Sequence, residues 1–273
     1  MSNDPKISLS PTLDRAEILA QLGAVLDPEL DESILTLGFV DAVTAQWDDG
    51  STVTAQCANR SKGSHLTVEL QLPTFWCAAN FSYLMASDVR RNLLMVDGVD
   101  EVTVRLPGHF ASEAIESGVN SGESFAQAFP DEAWDNLDQL RDIFLRKGYI
   151  NRQENLLRNL RAGGFTNEAI AALCIEDLRL NGDSCCVRRD EQPEPHILPA
   201  SLAQRYLERR AELGIDCSPA SPLVCDLNGQ AVPAHQMEDY FVRSRTTRLA
   251  SEANGALCSA LLQARRTGTV KSR

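Results

Sequence analysis

Alternating apolar and polar residues predict strands in the first third of the chain. Strand character runs over Phe39–Trp47 and again over Val53–Cys57, after the turn that contains Gly50. The clearest alternation is Leu66–Leu72, and a last strand is expected at Val102–Leu106. These segments predict a small sheet.

Helical spacing of apolar residues predicts the elements that cover this sheet. The segment Pro11–Leu26 reads as a helix, with Ser10 or Thr12 as its cap, after a flexible lead at Met1–Ser10. A second helix, Ala78–Val96, separates the third strand from the fourth. The order helix, three strands, helix, strand predicts an α/β domain with helices on one face of the sheet.

The second half of the chain is predicted to be mainly helical. Segment 108–129 reads as short helices or irregular structure. Helices are expected at Pro130–Gly148, at Asn151–Arg161, after a cap at Thr166, at Pro199–Leu213 and at Met237–Ala264, with a hairpin whose type I′ turn contains Asn181-Gly182. The predicted fold class is therefore α+β, with an α/β domain at 11–107, a connecting segment at 108–129 and a mainly helical interaction domain at 130–273.

Composition and net charge indicate a globular protein and argue against general nucleic-acid binding and membrane insertion. A hydrophobic fraction of 43% and a charged fraction of 23% are typical of a globular protein, and 273 residues suffice for two cores. The net charge of −12 argues against general binding to nucleic acids. The start of the chain does not resemble a signal peptide, and no apolar stretch is long enough for a bilayer, so we expect a cytoplasmic protein without membrane association.

The eight cysteines are expected to be reduced thiols. None belongs to a C-x-x-C pair, which disfavours a structural zinc ribbon. In the helical half, a second metal site would consist of Cys185, Cys186, Cys217, Cys225 and His196. The spacings between these residues match no known rule for metal ligands, and scattered reduced cysteines explain them more simply.

The strongest candidate chemistry lies at Asp27, Glu29 and Cys77. Asp27 and Glu29 flank a proline in a turn, so both carboxylates can project the same way. Cys77 ends a strand and opens a helix, and the positive end of the helix dipole favours a thiolate. The structural alternatives are that Asp27 caps turn amides, that Glu29 is solvated and that Cys77 is a small buried residue.

These residues carry a resemblance to a known family. The run DPEL, then LGFV, then a strand ending at Cys77, then VDGVDEVTVRL resembles the SufT/PaaD family of metal–sulfur cluster biosynthetic proteins over about Leu13–Leu106. The resemblance implies that Asp27, Glu29 and Cys77 are the conserved acidic pair and cysteine. His65 and His109 lie in the same domain and are weaker candidates for completing a ligand set.

The resemblance implies a non-enzymatic factor that matures an iron-dependent or iron–sulfur enzyme. Iron or a cluster fragment would be held transiently at Cys77, with the ligand set completed across a homodimer or by the client metalloenzyme, for example an iron-dependent oxygenase. Ala78, where the family has proline, favours the alternative of a metal-free scaffold or regulator that binds the client.

A weaker resemblance concerns the second half. The stretch LLRNLRAGGFTNEAIAALCIEDLRLNG and the segments after it are similar in element order to the catalytic domain of tyrosine recombinases. Phe165 stands where that family has its first arginine, and no tyrosine follows Tyr240, so strand transfer is not expected. DNA binding through this half and its basic C-terminal tail is a third hypothesis, and an unrelated helical domain explains the pattern equally well.

Overall fold

The computed structural model describes residues 5–9, 13–47, 64–131, 137–188 and 195–267. The fold class is α+β as predicted, with a sheet near the N-terminus and a mainly helical second part. Contacts divide the chain into unit 1, Met1–Leu140 with Asn254–Arg273, and unit 2, Arg141–Ala253. The domain bounds drawn from the sequence stay a prediction; unit 1 takes in both segment 108–129 and the residues after Ala253. In the described helices, none is long and apolar enough to cross a bilayer.

Unit 1 is built on a four-stranded mixed sheet. The described strands of unit 1, of which four form this sheet, are β1 (Lys6–Ser8), β2 (Leu26–Asp27), β3 (Glu32–Ser33), β4 (Val40–Trp47), β5 (Ser64–Leu70) and β6 (Val99–Arg105). The sheet order is β1-β4-β5-β6, with β4 and β5 antiparallel and the two outer pairings parallel. Val43, Val68 and Val104 occupy one row across it and are buried, which is why the alternating pattern selects this register. Strands β2 and β3 form a separate short pair.

Helices cover the sheet and complete the core of unit 1. They are α1 (Arg15–Gly23), α2 (Ala79–Leu93), α3 (Ser112–Ser121) and α4 (Phe125–Ala128). Helix α2 contacts α1, α3 and β6, so it is the central helix of the layer. Leu262, from the far end of the chain, is 3% exposed and belongs to the same core.

Unit 2 surrounds a second core. Its elements are α5 (Leu137–Ala162, which begins in unit 1), α6 (Asn167–Ala172), β7 (Leu178–Asn181), β8 (Ser184–Val187), β9 (His196–Pro199), α7 (Ala200–Glu212) and α8 (Met237–Arg266, which ends in unit 1). Strands β7, β8 and β9 form an antiparallel sheet. Thr166 caps α6 as predicted, its hydroxyl accepting from the Ala169 amide.

In unit 1 the prediction was wrong at two places near the N-terminus. Residues Lys6–Ser8 form β1 rather than a flexible lead, because they pair with the edge of β4. A segment of three residues is too short for its own sequence pattern to predict this pairing. Helix α1 is capped by Asp14, whose Oδ1 accepts from the Ala16 amide at 2.7 Å, and not by Ser10 or Thr12. The strand predicted at Val53–Cys57 lies outside the described residues.

In unit 2 the prediction was wrong about the end of one helix and about the residues and type of the hairpin turn. Helix α5 continues through Gly148, although glycine costs a helix about 1 kcal/mol, because Gly148 and Tyr149 are both buried in packed structure. The hairpin turn consists of Gly182 and Asp183, and only Gly182 has a positive φ, 57°, whereas a type I′ turn needs two. Strand β9, which turns the hairpin into a three-stranded sheet, was not predicted.

Candidate functional site

The Asp27 turn is built around one carboxylate. Asp27 ends β2, and its Oδ1 accepts hydrogen bonds from the amides of Glu29, at 2.9 Å, and Leu30, at 2.8 Å. The Asp31 amide donates to the Asp27 carbonyl at 2.9 Å, and Asp31 takes a left-handed φ of 54° to turn the chain into β3. The side chain of Asp27 is buried, and this loss of solvent raises its pKa to about 6 despite the two amide donors.

Glu29 is exposed, but its carboxylate has a partner within unit 1. Its Oε1 accepts from the Asn254 side-chain amide at 2.9 Å, across 225 residues of sequence. The turn thus adopts the capping arrangement that the structural alternative predicted for Asp27, while Glu29 is held by α8 rather than merely solvated.

Cys77 lies between the loop after β5 and the start of α2. Its thiol is half-buried against the core of unit 1, and Sγ lies 3.2 Å from Thr74 Oγ1. Ala78 is the N-cap of α2 and offers no side-chain acceptor; within the first turn, the Phe81 amide instead donates to Asn80 Oδ1 at 2.9 Å. The neighbouring Phe75 and Trp76 are 40% and 58% exposed, so an apolar surface adjoins the thiol.

His109 holds the backbone of Cys77. Its Nδ1 accepts from the Ala111 amide at 3.2 Å, so the neutral ring carries its proton on Nε2. Nε2 lies 2.9 Å from the Cys77 carbonyl, to which it donates, and 3.1 Å from Ser82 Oγ. Burial lowers the pKa of His109, the Cys77 carbonyl opposes this shift, and the charge of Arg265 adds to it. His109 therefore positions Cys77 through its backbone, with both ring nitrogens engaged.

Cys258 on α8 is the residue that sequence reasoning missed. Burial and, after it, the charges of Asp27, Cys77 and Glu29 together raise the pKa of its thiol to about 11. The three residues selected from the sequence thus lie in the surroundings of one further thiol. The only sequence signal is a stripe of helical spacing, Asn254, Cys258 and Leu262, whose partners are some 200 residues away.

The donor set fits a borderline-soft divalent metal in its chemistry: thiols are soft ligands and carboxylates are hard ones. Across the described part of the chain, however, no three histidine, cysteine or acidic side chains are gathered closely enough to hold a metal ion as they stand. The site is a neighbourhood of potential ligands and not a formed metal centre.

The remaining histidine and cysteine candidates divide between the two units. In unit 1, His65 Nε2 lies 2.8 Å from Thr103 Oγ1 on the neighbouring strand β6. In unit 2, Cys185 and Cys225 are buried, Cys217 is exposed, and His196 Nε2 lies 3.1 Å from Asn159 Oδ1. The second metal site considered from the sequence stays without support.

The core of unit 2 contains a buried network of tyrosines. The hydroxyls of Tyr149 and Tyr240 both donate to the Cys225 carbonyl, at 3.0 and 3.2 Å, and Tyr206 donates to the Leu223 carbonyl at 2.6 Å. Burial raises the pKa of all three phenols. Tyr240 also lines a cavity of about 400 Å³ together with Ile150, Asp226, Gln230, Gln236, Arg243 and Ser244.

Comparisons with known proteins do not extend either resemblance. The chain matches no protein-family model, no curated protein and no solved structure at a significant level. The similarities to the SufT/PaaD family and to tyrosine recombinases therefore rest on the residues given above.

Proposed function

We propose that unit 1 is a non-enzymatic maturation factor that transiently holds iron, or a fragment of an iron–sulfur cluster, for transfer to a client enzyme. The observation that carries the proposal is the contact between the acidic turn and α8: Glu29 Oε1 accepts from the Asn254 amide at 2.9 Å, one helical turn before the Cys258 thiol. A thiol and two carboxylates from distant parts of the sequence thus share one locality. The resemblance to the SufT/PaaD family, which selects Asp27, Glu29 and Cys77, supports the same cargo.

The residues have distinct roles in this proposal. Cys77 supplies the soft donor to iron, and Asp27 and Glu29 are hard donors or orient the thiol. His109 is a positioning residue, because its hydrogen bond to the Cys77 carbonyl fixes the backbone that carries the thiol.

Unit 2 is proposed to recognise the client, for which an iron-dependent oxygenase or an iron–sulfur enzyme is the expected class. Its cavity of about 400 Å³ falls within the size range of ligand pockets and offers a concave surface. A homodimer would be one source of additional ligands for the cargo. The described cysteines are all free thiols, which supports a reducing compartment such as the cytoplasm as part of the proposal.

The test is the iron and acid-labile sulfide content of the chain after anaerobic incubation with Fe(II) and sulfide. We expect iron in the wild-type protein and none above background in Cys77→Ala. Cys186→Ala, which removes a half-buried thiol from unit 2, is the matched control and should retain the iron. Equal iron in wild type and Cys77→Ala would contradict the proposal.

A metal-free scaffold that binds the same client is the second candidate. It is favoured by the observation that both carboxylates already have partners in the folded chain, Asp27 with turn amides and Glu29 with Asn254. In cells that lack the protein, a Cys77→Ala copy that restores full client activity would favour the scaffold; failure to restore it, with the chain folded, would favour the carrier.

A further inference from the structure

The cavity of unit 2 has a lining that mixes charged, polar and apolar groups. Its volume is about 400 Å³, and its described lining residues all belong to unit 2. The turn that begins at Asp226 lines one part of it, and the first turns of α8, with Tyr240 and Arg243, line another. Ile150 of α5 and the buried Val232 add apolar side chains. A cavity of this size and make-up is typical of a site for a small molecule.

One acid and one base line this cavity without neutralising each other. Among the described lining residues, Asp226 is the only acidic side chain and Arg243 the only basic one. Asp226 Oδ1 accepts from the amides of Asn228 and Gln230, both at 2.9 Å. Arg243 Nε donates to the Asp239 carbonyl at 3.2 Å. In the part of the chain that the structure describes, neither side chain forms an ion pair, so each presents its charge without a counter-charge.

The buried network behind the cavity makes the Tyr240 oxygen an acceptor. Gln153 Nε2 lies 3.0 Å from the Cys225 carbonyl, which can only accept, so Gln153 Oε1 is left to accept from the Tyr240 hydroxyl at 2.5 Å. Because this bond uses the one proton of the phenol, a ligand meets only the lone pairs of its oxygen. Burial is the main cause that raises the pKa of this phenol; the charge of Asp226 adds to the rise and that of Arg243 opposes it, in agreement with a phenol that lies near both.

From these groups we infer that the cavity of unit 2 binds a small zwitterion of the α-amino-acid type. The carboxylate of the ligand pairs with Arg243, whose planar guanidinium can donate two parallel hydrogen bonds to it. The ammonium group of the ligand pairs with Asp226 and donates to the Tyr240 oxygen. The side chain of the ligand is uncharged, because the described lining holds no third charge to pair with it, and Ile150 and Val232 offer it apolar contact.

The inference goes beyond the proposed function, because it concerns unit 2 alone and holds whether or not Cys77 carries iron. It assigns the interior of the cavity to a small molecule and leaves the surface around the cavity to the client. Failure of the iron test at Cys77 would leave the inference standing, and failure of amino-acid binding would leave the iron carrier standing.

Calorimetric titration of the full chain with each common free L-amino acid tests the inference. For each amino acid that binds, the N-acetyl derivative lacks the ammonium group and the amide lacks the carboxylate. We expect saturable binding of at least one amino acid with an uncharged side chain. Both derivatives should bind about ten- to hundredfold more weakly, because each loses one charge-assisted interaction. Absence of binding by every amino acid overturns the inference, and so does a derivative that binds as tightly as its parent.

Two variants locate the site. Asp226→Asn keeps an oxygen for the turn amides, and Arg243→Gln changes an exposed side chain, so both are expected to fold. Each should weaken binding of the amino acid about ten- to hundredfold. Arg245→Gln is the matched control, because Arg245 is exposed on the same helix but does not line the cavity, and it should bind as wild type does. Wild-type affinity in both Asp226→Asn and Arg243→Gln overturns the inference.

A second measurement uses the wild-type chain alone. Amide hydrogen exchange is compared with and without a saturating concentration of the amino acid that binds. We expect slower exchange at the Gln230 amide and in the first turns of α8, which line the cavity, and no change in β4, β5 and β6 of unit 1. Protection confined to unit 1 would overturn the inference.

Discussion

At the scale of single residues, the carboxyl group of Asp27 accepts the hydrogen bonds that stabilise its turn but loses its contact with solvent. Two backbone amides bind its Oδ1, yet burial outweighs them and raises its pKa from 3.8 to about 6. The folded chain therefore binds a proton at Asp27 more tightly than the unfolded chain does. Ionisation of this residue costs folding free energy.

This balance predicts the pH dependence of an Asp27→Asn protein, in which the amide oxygen can still accept both turn hydrogen bonds. Relative to Asp27→Asn, wild type should lose stability as the pH rises from 3.8 to about 6 and then remain less stable. The shift corresponds to a difference on the order of 3 kcal/mol at neutral pH, in the absence of metal. Urea unfolding at a series of pH values measures it.

Asp226→Asn is the matched control for this experiment. Asp226 also accepts from turn amides through Oδ1, those of Asn228 and Gln230 at 2.9 Å, but from a less buried position. A stability difference for Asp27→Asn that does not change with pH would contradict the assignment of its cost to desolvation.

Arg210 is the corresponding buried group of unit 2. Its guanidinium is fully buried and donates to carbonyls and hydroxyls on all sides: those of Asp216, Pro222, Leu223, Tyr206 and Ser221. We expect Arg210→Met to destabilise unit 2 by on the order of 4 kcal/mol, because several buried acceptors would lose their donor. Arg210→Lys should recover little, since an ammonium cannot reproduce the planar fork.

Thermal unfolding followed by circular dichroism measures this loss. Arg158→Met makes the same change on an exposed face of α5 and should alter stability little. Equal melting temperatures for Arg210→Met and Arg158→Met would contradict the structural role of Arg210.

At the scale of elements, the end of α8 completes unit 1. Arg265 Nη1 donates to the Leu72 carbonyl, and Nη2 donates to the carbonyls of Pro107, at 3.1 Å, and Gly108, at 3.0 Å. These acceptors lie in the loops that lead to Cys77 and to His109. The helix therefore ties together the two loops that frame the candidate site.

Arg265→Ala is expected to destabilise unit 1 by about 1–3 kcal/mol, because charge-assisted hydrogen bonds to backbone carbonyls are lost. Gly108→Ala should act in the same direction, since the added Cβ would lie 2.5 Å from Arg265 Nη2 and the residue has a φ of 68°. Urea unfolding measures both. Arg245→Ala, on an exposed part of α8 within unit 2, should leave stability unchanged; an equal loss in Arg245→Ala would contradict the contact.

Much of the element order of unit 1 could be predicted, because β4, β5, α2 and β6 carry the alternation or helical spacing that burial on one face requires. The elements that could not be predicted are those whose stability depends on contacts with residues distant in sequence. Strand β1 needs the edge of β4, and the continuation of α5 through Gly148 needs the core of unit 2. The residues around the candidate site divide in the same way. Asp27 and Cys77 stand in local patterns, whereas Cys258 is recognisable only once α8 is packed on unit 1.

At the scale of the whole molecule, each unit has a core of its own, and one of them is discontinuous in sequence. Leu262→Ala removes a buried side chain from unit 1, and Leu157→Ala removes one from unit 2. Each should cost about 2–5 kcal/mol. By hydrogen exchange, Leu262→Ala should accelerate exchange in β4, β5 and β6, and Leu157→Ala in β7, β8 and β9.

Each variant serves as the control for the other. Faster exchange in β7–β9 of Leu262→Ala, with β4–β6 unchanged, would contradict the assignment of the residues after Ala253 to unit 1.

The discontinuity of unit 1 also has a consequence for biosynthesis. A ribosome makes Asp27 and Cys77 early, but the turn of α8 that bears Cys258 and Leu262 emerges only after all of unit 2 has been translated. A nascent chain therefore exposes the Cys77 thiol before its helical neighbour exists. Unit 1 therefore completes its core only when synthesis has passed Arg265, so that a stalled or prematurely terminated chain lacks both the buried Leu262 and the contacts of Arg265 with the loops at Cys77 and His109.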